Sequence, residues 1–304
     1  MDRCKPIMKW AGGKSQLLTE LLPRIPNYTG KYIEPFFGGG ALYLAFQPEN
    51  AVIADSNPEL INLYKQVAGS VDTVIEKLKH YENAKEMFYE VRAQDWTKLT
   101  PEDAAARTIY LNRTCFNGLY RVNKSGLFNV PFGKYSNPLI CDPETIRRDS
   151  ELLQRVEILT GDFEKTFDYA NGNTLFYFDP PYRPLSETSS FNDYAKEAFN
   201  DDAQIRLKEF CDRINNAGFK FMLSNSDCKG KDEKDKFFDV LYEDYQIEKV
   251  WASRSINSNP NKRGKLTEIL VHNYLNTKSV NIDRNVFNAI YLTERKSVLA
   301  QVAN

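Results

Sequence analysis

No run of eighteen apolar residues occurs in the 304-residue chain, so no segment has the length of a membrane-spanning helix. The N-terminus also lacks the charged-then-apolar layout of a secretory signal, and the expected location is the cytoplasm. Cysteines are few and scattered: Cys4, Cys115, Cys141, Cys211 and Cys228 form no CxxC pair, and His80 and His272 are the two histidines. On those grounds neither a disulfide framework nor a structural zinc site is expected, nor any other metal. A large net charge is missing as well. At −1 the chain has no bulk attraction for a polyanion. Acidic residues are absent from two windows, however. Arg107 to Cys141 contains Arg107, Arg113, Arg121, Lys124 and Lys134, and Trp251 to Thr267 contains Arg254, Lys262, Arg263 and Lys265. Such windows are either solvated loops with partners elsewhere in the fold or surfaces that meet a phosphate backbone.

What is present is enough for a packed core, with 42% hydrophobic residues and 13% aromatics. Short apolar runs alternate with longer amphipathic ones, the pattern of an α/β fold. Seven strands are predicted, at 31–35, 51–55, 156–159, 174–179, 219–225, 247–252 and 267–274. Between the second and third the rhythm changes to helices, followed by "CFNGLYRVNKSGLFNVPFGKY", whose Asn-Gly and Ser-Gly pairs predict a hairpin. The expected organisation is therefore a sheet domain over 1–56 and 156–275, interrupted by a mostly helical unit over 57–155. Residues 276–304 form an extension with no assigned role.

Three stretches carry chemistry. "MKWAGGKSQLL" contains Gly-Lys-Ser, but Met8 stands where a phosphate-binding loop needs its first glycine. "YIEPFFGGGALYLAF" places Glu34 and then Gly38, Gly39 and Gly40 at a strand-to-helix turn. Glycines there admit a ligand close to the backbone, although a tight turn alone also accounts for them. Asp55 ends the next strand, where a carboxylate can accept from ribose hydroxyls. The strongest signal is "FYFDPPYRP". Its two prolines hold the Asp179 carboxylate, the Pro180 carbonyl and the Tyr182 ring around one pocket. Those groups suit an exocyclic aromatic amine. Two acceptors on its N–H protons free a lone pair otherwise delocalised into the ring, and Tyr182 offers a stacking face to an extruded base.

At this point the chain resembles the Dam-like (α group, D12 class) DNA adenine N6-methyltransferases, which include GATC methylases of restriction systems. The likeness is carried, in the family's order from about Pro6 to Tyr274, by "KWAGGK", "EPFFGGGAL", "IADSNPELIN", "FNGLYRVNKSGLFNVPFGKY", "GDFEK", "DPPYRPLSETSSF" and "LSNS". It implies a Rossmann-like, seven-stranded methyltransferase sheet with an inserted target-recognition subdomain. The cofactor implied is S-adenosyl-L-methionine, held by Trp10, Lys14, Glu34, Gly38, Gly40, Asp55, Asp162, Phe163 and Asp179. The catalytic turn implied is Asp179, Pro180, Pro181 and Tyr182. Duplex DNA is the implied partner, met by Phe116 and Asn117 as an intercalating wedge. Leu119 and Pro131 would meet a thymine methyl, Arg121 and Lys9 guanines, and Lys134 a phosphate. The expected activity is N6 methylation of adenine in GATC by base flipping and direct in-line transfer, by a chain taken as a monomer. RNA adenine is disfavoured by a hairpin suited to duplex reading, and N4 of cytosine by Asp rather than Ser before "PPY". A catalytically silent DNA-binding regulator is disfavoured by the intact Asp179–Tyr182 turn.

Overall fold

The computed structural model describes residues 4–123, 125–183, 199–230, 232–252 and 266–275. Lys124, the continuation of the Asp-Pro-Pro-Tyr motif at 184–198, the cations Arg254, Lys262, Arg263 and Lys265, and residues 276–304 lie outside them.

Each of the seven apolar runs is a strand, with ends within two residues of the expected ones. They are β1 (Tyr32–Glu34), β2 (Ala51–Asp55), β3 (Glu157–Thr160), β4 (Leu175–Phe178), β5 (Lys220–Ser226), β6 (Gln246–Ala252) and β7 (Leu266–His272). They form one sheet in the order β3-β2-β1-β4-β5-β7-β6. β7 runs antiparallel to both of its neighbours, and all other pairs are parallel. Both faces are covered, so β1 and β4 are buried at every position instead of alternating with polar residues. Alternation survives in which core each side chain joins. Tyr32, Leu175 and Tyr177 enter one cluster, while Ile33, Phe176 and Phe178 enter the other with Phe210 and Phe221. From β1 the chain winds outward one way to β2 and β3, and from β4 the other way to β5. The crevice at such a reversal, beyond the carboxyl ends of the strands, is where open α/β sheets bind ligands. Glu34, Asp55 and Asp179 lie at those ends.

The helices are α1 (Leu18–Leu21), α2 (Ala41–Phe46), α3 (Pro58–Gly69), α4 (Val71–Leu78), α5 (Lys85–Ala93), α6 (Pro101–Thr114), α7 (Pro143–Leu153), α8 (Asp201–Asn216) and α9 (Phe237–Leu241). α3 starts sharply because Pro58 occupies its first turn and Asn57 Oδ1 accepts from Glu59 N at 3.0 Å and Leu60 N at 3.2 Å. Leu63 and Tyr64 of α3, Ile109 and Leu111 of α6 and Ile53 of β2 belong to one continuous cluster, so the helices between β2 and β3 share a core with the sheet.

Between α6 and α7 the chain doubles back through two isolated antiparallel bridges, Cys115 with Phe132 and Val122 with Phe128. Phe116 N donates to Pro131 O at 2.8 Å, Asn129 N to Arg121 O at 3.0 Å and Asn123 N to Leu127 O at 2.8 Å. The arms are thus joined at intervals, without a continuous ladder. The first cationic window is also not one surface. Arg107 is 1% exposed and pairs with Glu59 at 2.8 Å, and the half-buried Arg113 donates to Ile7 O at 2.6 Å. These two guanidiniums satisfy interior acceptors, because a buried cation needs a partner.

Candidate active site

The segment ahead of the sheet folds into a turn in which Gly13 N donates to Trp10 O at 3.0 Å. Gly12 supplies the left-handed conformation, with φ of 78°. The turn delivers Lys14 into the protein at 3% exposure. Its ammonium reaches Asp179 Oδ1 at 2.5 Å and Gly12 O at 3.0 Å, and lies 4.5 Å from the centre of the Tyr182 ring. Lys14 therefore faces a carboxylate and an aromatic ring. That arrangement differs from a phosphate-cradling lysine, whose surroundings are bare backbone N–H groups.

Asp179 leaves β4 at its carboxyl end, and the side chain is one-fifth exposed toward the cleft. Oδ1 accepts from Lys14 and, at 3.4 Å, from Ser224 Oγ, whose hydroxyl also meets Tyr177 OH at 3.1 Å. Oδ2 has no hydrogen bond among the described residues. Burial raises this carboxyl above the usual aspartate range, and the Lys14 ammonium opposes the rise. Glu34, 2% exposed, is pushed up to about 8 by burial, with the Asp179 charge adding to the rise and the Tyr32 hydroxyl, 2.7 Å away, opposing it. Tyr182 donates its hydroxyl to Glu268.

The glycine turn packs closely against aromatic side chains of the chain itself. A Cβ on Gly38 would lie 2.8 Å from the Trp10 indole, one on Gly39 3.1 Å from Trp10 Cβ, and one on Gly40 2.4 Å from the Phe37 ring. Those glycines make room for two aromatic side chains of this chain. Gly38 N donates to Asp55 Oδ2 at 2.9 Å, and Asn57 N to Asp55 Oδ1 at 2.9 Å. Asp55 thereby ties the two loops together, and burial raises its carboxyl despite those donors. Each oxygen keeps one further lone pair. Asp162 caps the 3-10 segment Phe163–Tyr169 through Glu164 N at 3.0 Å and pairs with Arg206, whose guanidinium lies 4.5 Å from the centre of the Phe163 ring.

Lys9, Trp10, Lys14, Glu34, Gly38, Gly40, Asp55, Asp162, Phe163, Asp179, Pro180, Pro181 and Tyr182 all line one cleft of about 1500 Å³. That exceeds the ~300–1,000 Å³ of a site for one small ligand. The remaining singled-out residues are on the doubled-back segment. Phe116 is 50% and Leu119 36% exposed, and Asn117, Arg121, Pro131 and Lys134 are exposed as well. Asn117 and Lys134 have positive φ, 56° and 55°, which for side-chain-bearing residues marks sharp backbone reversals. Arg121 donates from Nε to Asn129 Oδ1 at 2.7 Å across the two arms. Sequence reading gave no role to Ser224, Arg206, Glu268 or Tyr120. Ser224 lay within the quoted "LSNS", where its place at the carboxyl end of a strand beside β4 was the available signal.

A parallel sheet with one antiparallel strand, β7, an acid-lined cleft at its reversal point and an Asp-Pro-Pro-Tyr turn define the α/β methyltransferase fold class. Residues 10–256 match the model of the D12 class N6 adenine-specific DNA methyltransferases, and the chain belongs to that family. Similar proteins include Type II methyltransferase M.MjaIII of Methanocaldococcus jannaschii, 43% identical over 89% of this chain and 99% of the relative. Type II methyltransferase M1.LlaDCHI of Lactococcus lactis subsp. cremoris is 42% identical over 90% of this chain and 96% of the relative. The DNA adenine methylase of Haemophilus influenzae is 35% identical over 88% and 92%. The chain is a DNA adenine methyltransferase.

Proposed function

We propose that this enzyme methylates N6 of adenine within GATC in duplex DNA in the cytoplasm, with S-adenosyl-L-methionine as donor and with the adenine flipped into the cleft. One observation carries the reading: Asp179 has one oxygen engaged by Lys14 and Ser224 and the other unengaged, at the rim of a cleft larger than one small ligand requires. The donor set fits the cofactor. Asp179, beside Glu34, suits its ammonium and sulfonium end, Asp55 has lone pairs left for ribose hydroxyls, and Asp162 and Phe163 line the same cleft. Bound there, the cofactor supplies an electrophilic methyl on a sulfonium.

Lys14 and Ser224 fix the rotamer of Asp179, so that Oδ2 accepts one N–H of the target amine while the Pro180 carbonyl accepts the other. Both acceptors would draw density onto N6, whose lone pair would attack the methyl carbon as the sulfonium S–C bond breaks and its electron pair stays on sulfur. The amine sheds one proton when the N–C bond forms. Asp179 is suited to take it, since burial raises its affinity for a proton. No cysteine lines the cleft among the described residues, in keeping with transfer that forms no covalent enzyme intermediate.

Asp179→Ala tests this reading. The expected result is loss of methyl transfer by at least about 10²-fold, the typical share of a positioned acid–base group, with duplex still bound. Turnover within about tenfold of wild type would remove Asp179 from the chemistry.

A further inference from the structure

Tyr120 lies between Leu119 and Arg121 on the hairpin, and the extended backbone turns it the opposite way. Leu119 and Arg121 are exposed, whereas Tyr120 points inward and is half-buried. Its ring stacks on Trp10, with centroids 5.3 Å apart and planes at 26°, and meets Phe128 of the return arm edge-on at 5.8 Å. The Trp10 side chain also lies against Gly38 and Gly39, where an added Cβ would come within 2.8 Å and 3.1 Å of it. The indole is therefore sandwiched between the glycine turn of the cleft and the hairpin.

The far end of Tyr120 is also fixed. Its hydroxyl donates to Glu59 Oε2 at 2.6 Å, while Glu59 Oε1 accepts from Arg107 Nη1 and Thr108 Oγ1, both at 2.8 Å. Arg107 donates onward to Val91 O and Arg92 O, each at 3.1 Å, and Arg92 to Val130 O of the hairpin at 3.2 Å. Glu59 stands in the first turn of α3, four residues after Asp55. One aromatic ring thus touches the wall of the cleft, and its hydroxyl is pinned to the helix that follows the Asp55 loop.

We infer that Tyr120 is a positioning residue that couples the cofactor cleft to the DNA-reading hairpin through the Trp10 stack. The inference rests on the proposed function, since it takes the cleft to hold the adenosyl cofactor and the hairpin to hold duplex. A ligand that shifts the indole against Gly38 moves the Tyr120 ring, and with it the backbone carrying Leu119 and Arg121. Because coupling is reciprocal, duplex on the hairpin strengthens cofactor binding by the factor with which cofactor strengthens duplex binding.

The test is a thermodynamic cycle by calorimetry, with S-adenosylhomocysteine as the unreactive cofactor probe and a short duplex carrying one GATC. Wild type should show a coupling factor of about fivefold or more, the lower end of ordinary coupling. Tyr120→Phe keeps the stack and should keep the factor. Tyr120→Leu removes the stack and should bring the factor to about one while both separate affinities survive. A purely structural role predicts instead that Tyr120→Leu weakens both ligands in parallel and leaves the factor intact, which overturns the inference.

A second measurement does not depend on that variant folding. With Trp96 and Trp251 replaced by Phe, emission from Trp10 should change when duplex is added alone, and an unchanged spectrum overturns the coupling. Wild type that binds both probes with a factor of one also overturns it and leaves the proposed function standing. Wild type that binds neither probe overturns both.

Discussion

The two oxygens of Asp179 differ in their surroundings. Oδ1 accepts from Lys14 and Ser224, which orient the carboxylate, and in the proposed reaction Oδ2 accepts from the target amine. Arg121 poses the corresponding question on the hairpin, because an exposed arginine can read a base or merely grip a phosphate. Its Nε donates to Asn129 Oδ1 at 2.7 Å and its Nη2 to Asn129 O at 3.5 Å across the two arms, which fixes the orientation of the guanidinium. A bidentate arginine contributes roughly 1–3 kcal/mol of discrimination, so Arg121→Ala should lose about that much preference for one base pair of GATC. Methylation of the corresponding single-pair variants should approach the rate at GATC. A uniform slowing on every sequence, with a salt slope lower by about one, would identify a phosphate contact instead. At this scale the motif residues were legible, because prolines and glycines leave a spacing that can be read. Ser224, Arg206 and Tyr120 were not, since each matters through a neighbour distant in sequence: Asp179, Asp162 and Trp10.

Among the elements, α7 carries the most unusual titratable group outside the cleft. Asp149 is 1% exposed and neither carboxylate oxygen has a hydrogen-bond partner. Burial pushes it up to about 8, the Asp142 charge adds to the rise, and Cys4 and Arg113 oppose it. In the unfolded chain an aspartate titrates near 3.9. Between about pH 4 and about pH 8 the folded state therefore holds a proton that the unfolded state has released, and stability falls as pH rises, by up to about 1.4 kcal/mol per unit. Asp149→Asn removes that slope. The Tm advantage of the variant over wild type should grow from pH 5 to pH 8 in calorimetry, and a difference independent of pH would refute a proton held on Asp149. The strands were legible from their apolar runs, because a parallel strand buried on both faces leaves little else. The relation of α3 to the sheet was not. Its apolar face is consistent with packing on either unit, and the fold places Leu63 and Tyr64 in the core they share. Likewise, a Gly-Gly-Gly turn reads the same whether a ligand or an indole fills the space above it, and here Trp10 and Phe37 do so.

For the whole molecule, a net charge of −1 rules out a global field as the source of duplex affinity. In the proposed function, recognition comes from local features: the exposed Phe116, Leu119 and Arg121 on one hairpin, with a cleft into which Asp179 offers the unengaged Oδ2. Under that proposal, sequence reading and chemistry fall on separate elements joined by the segment from Lys9 to Lys14. Both have to act on one base. The most direct measurement is to incubate unmethylated plasmid with the protein and S-adenosyl-L-methionine and then locate modified bases by sequencing. N6-methyladenine confined to GATC is the predicted result; methylation of adenine in another motif, or of cytosine, would contradict it.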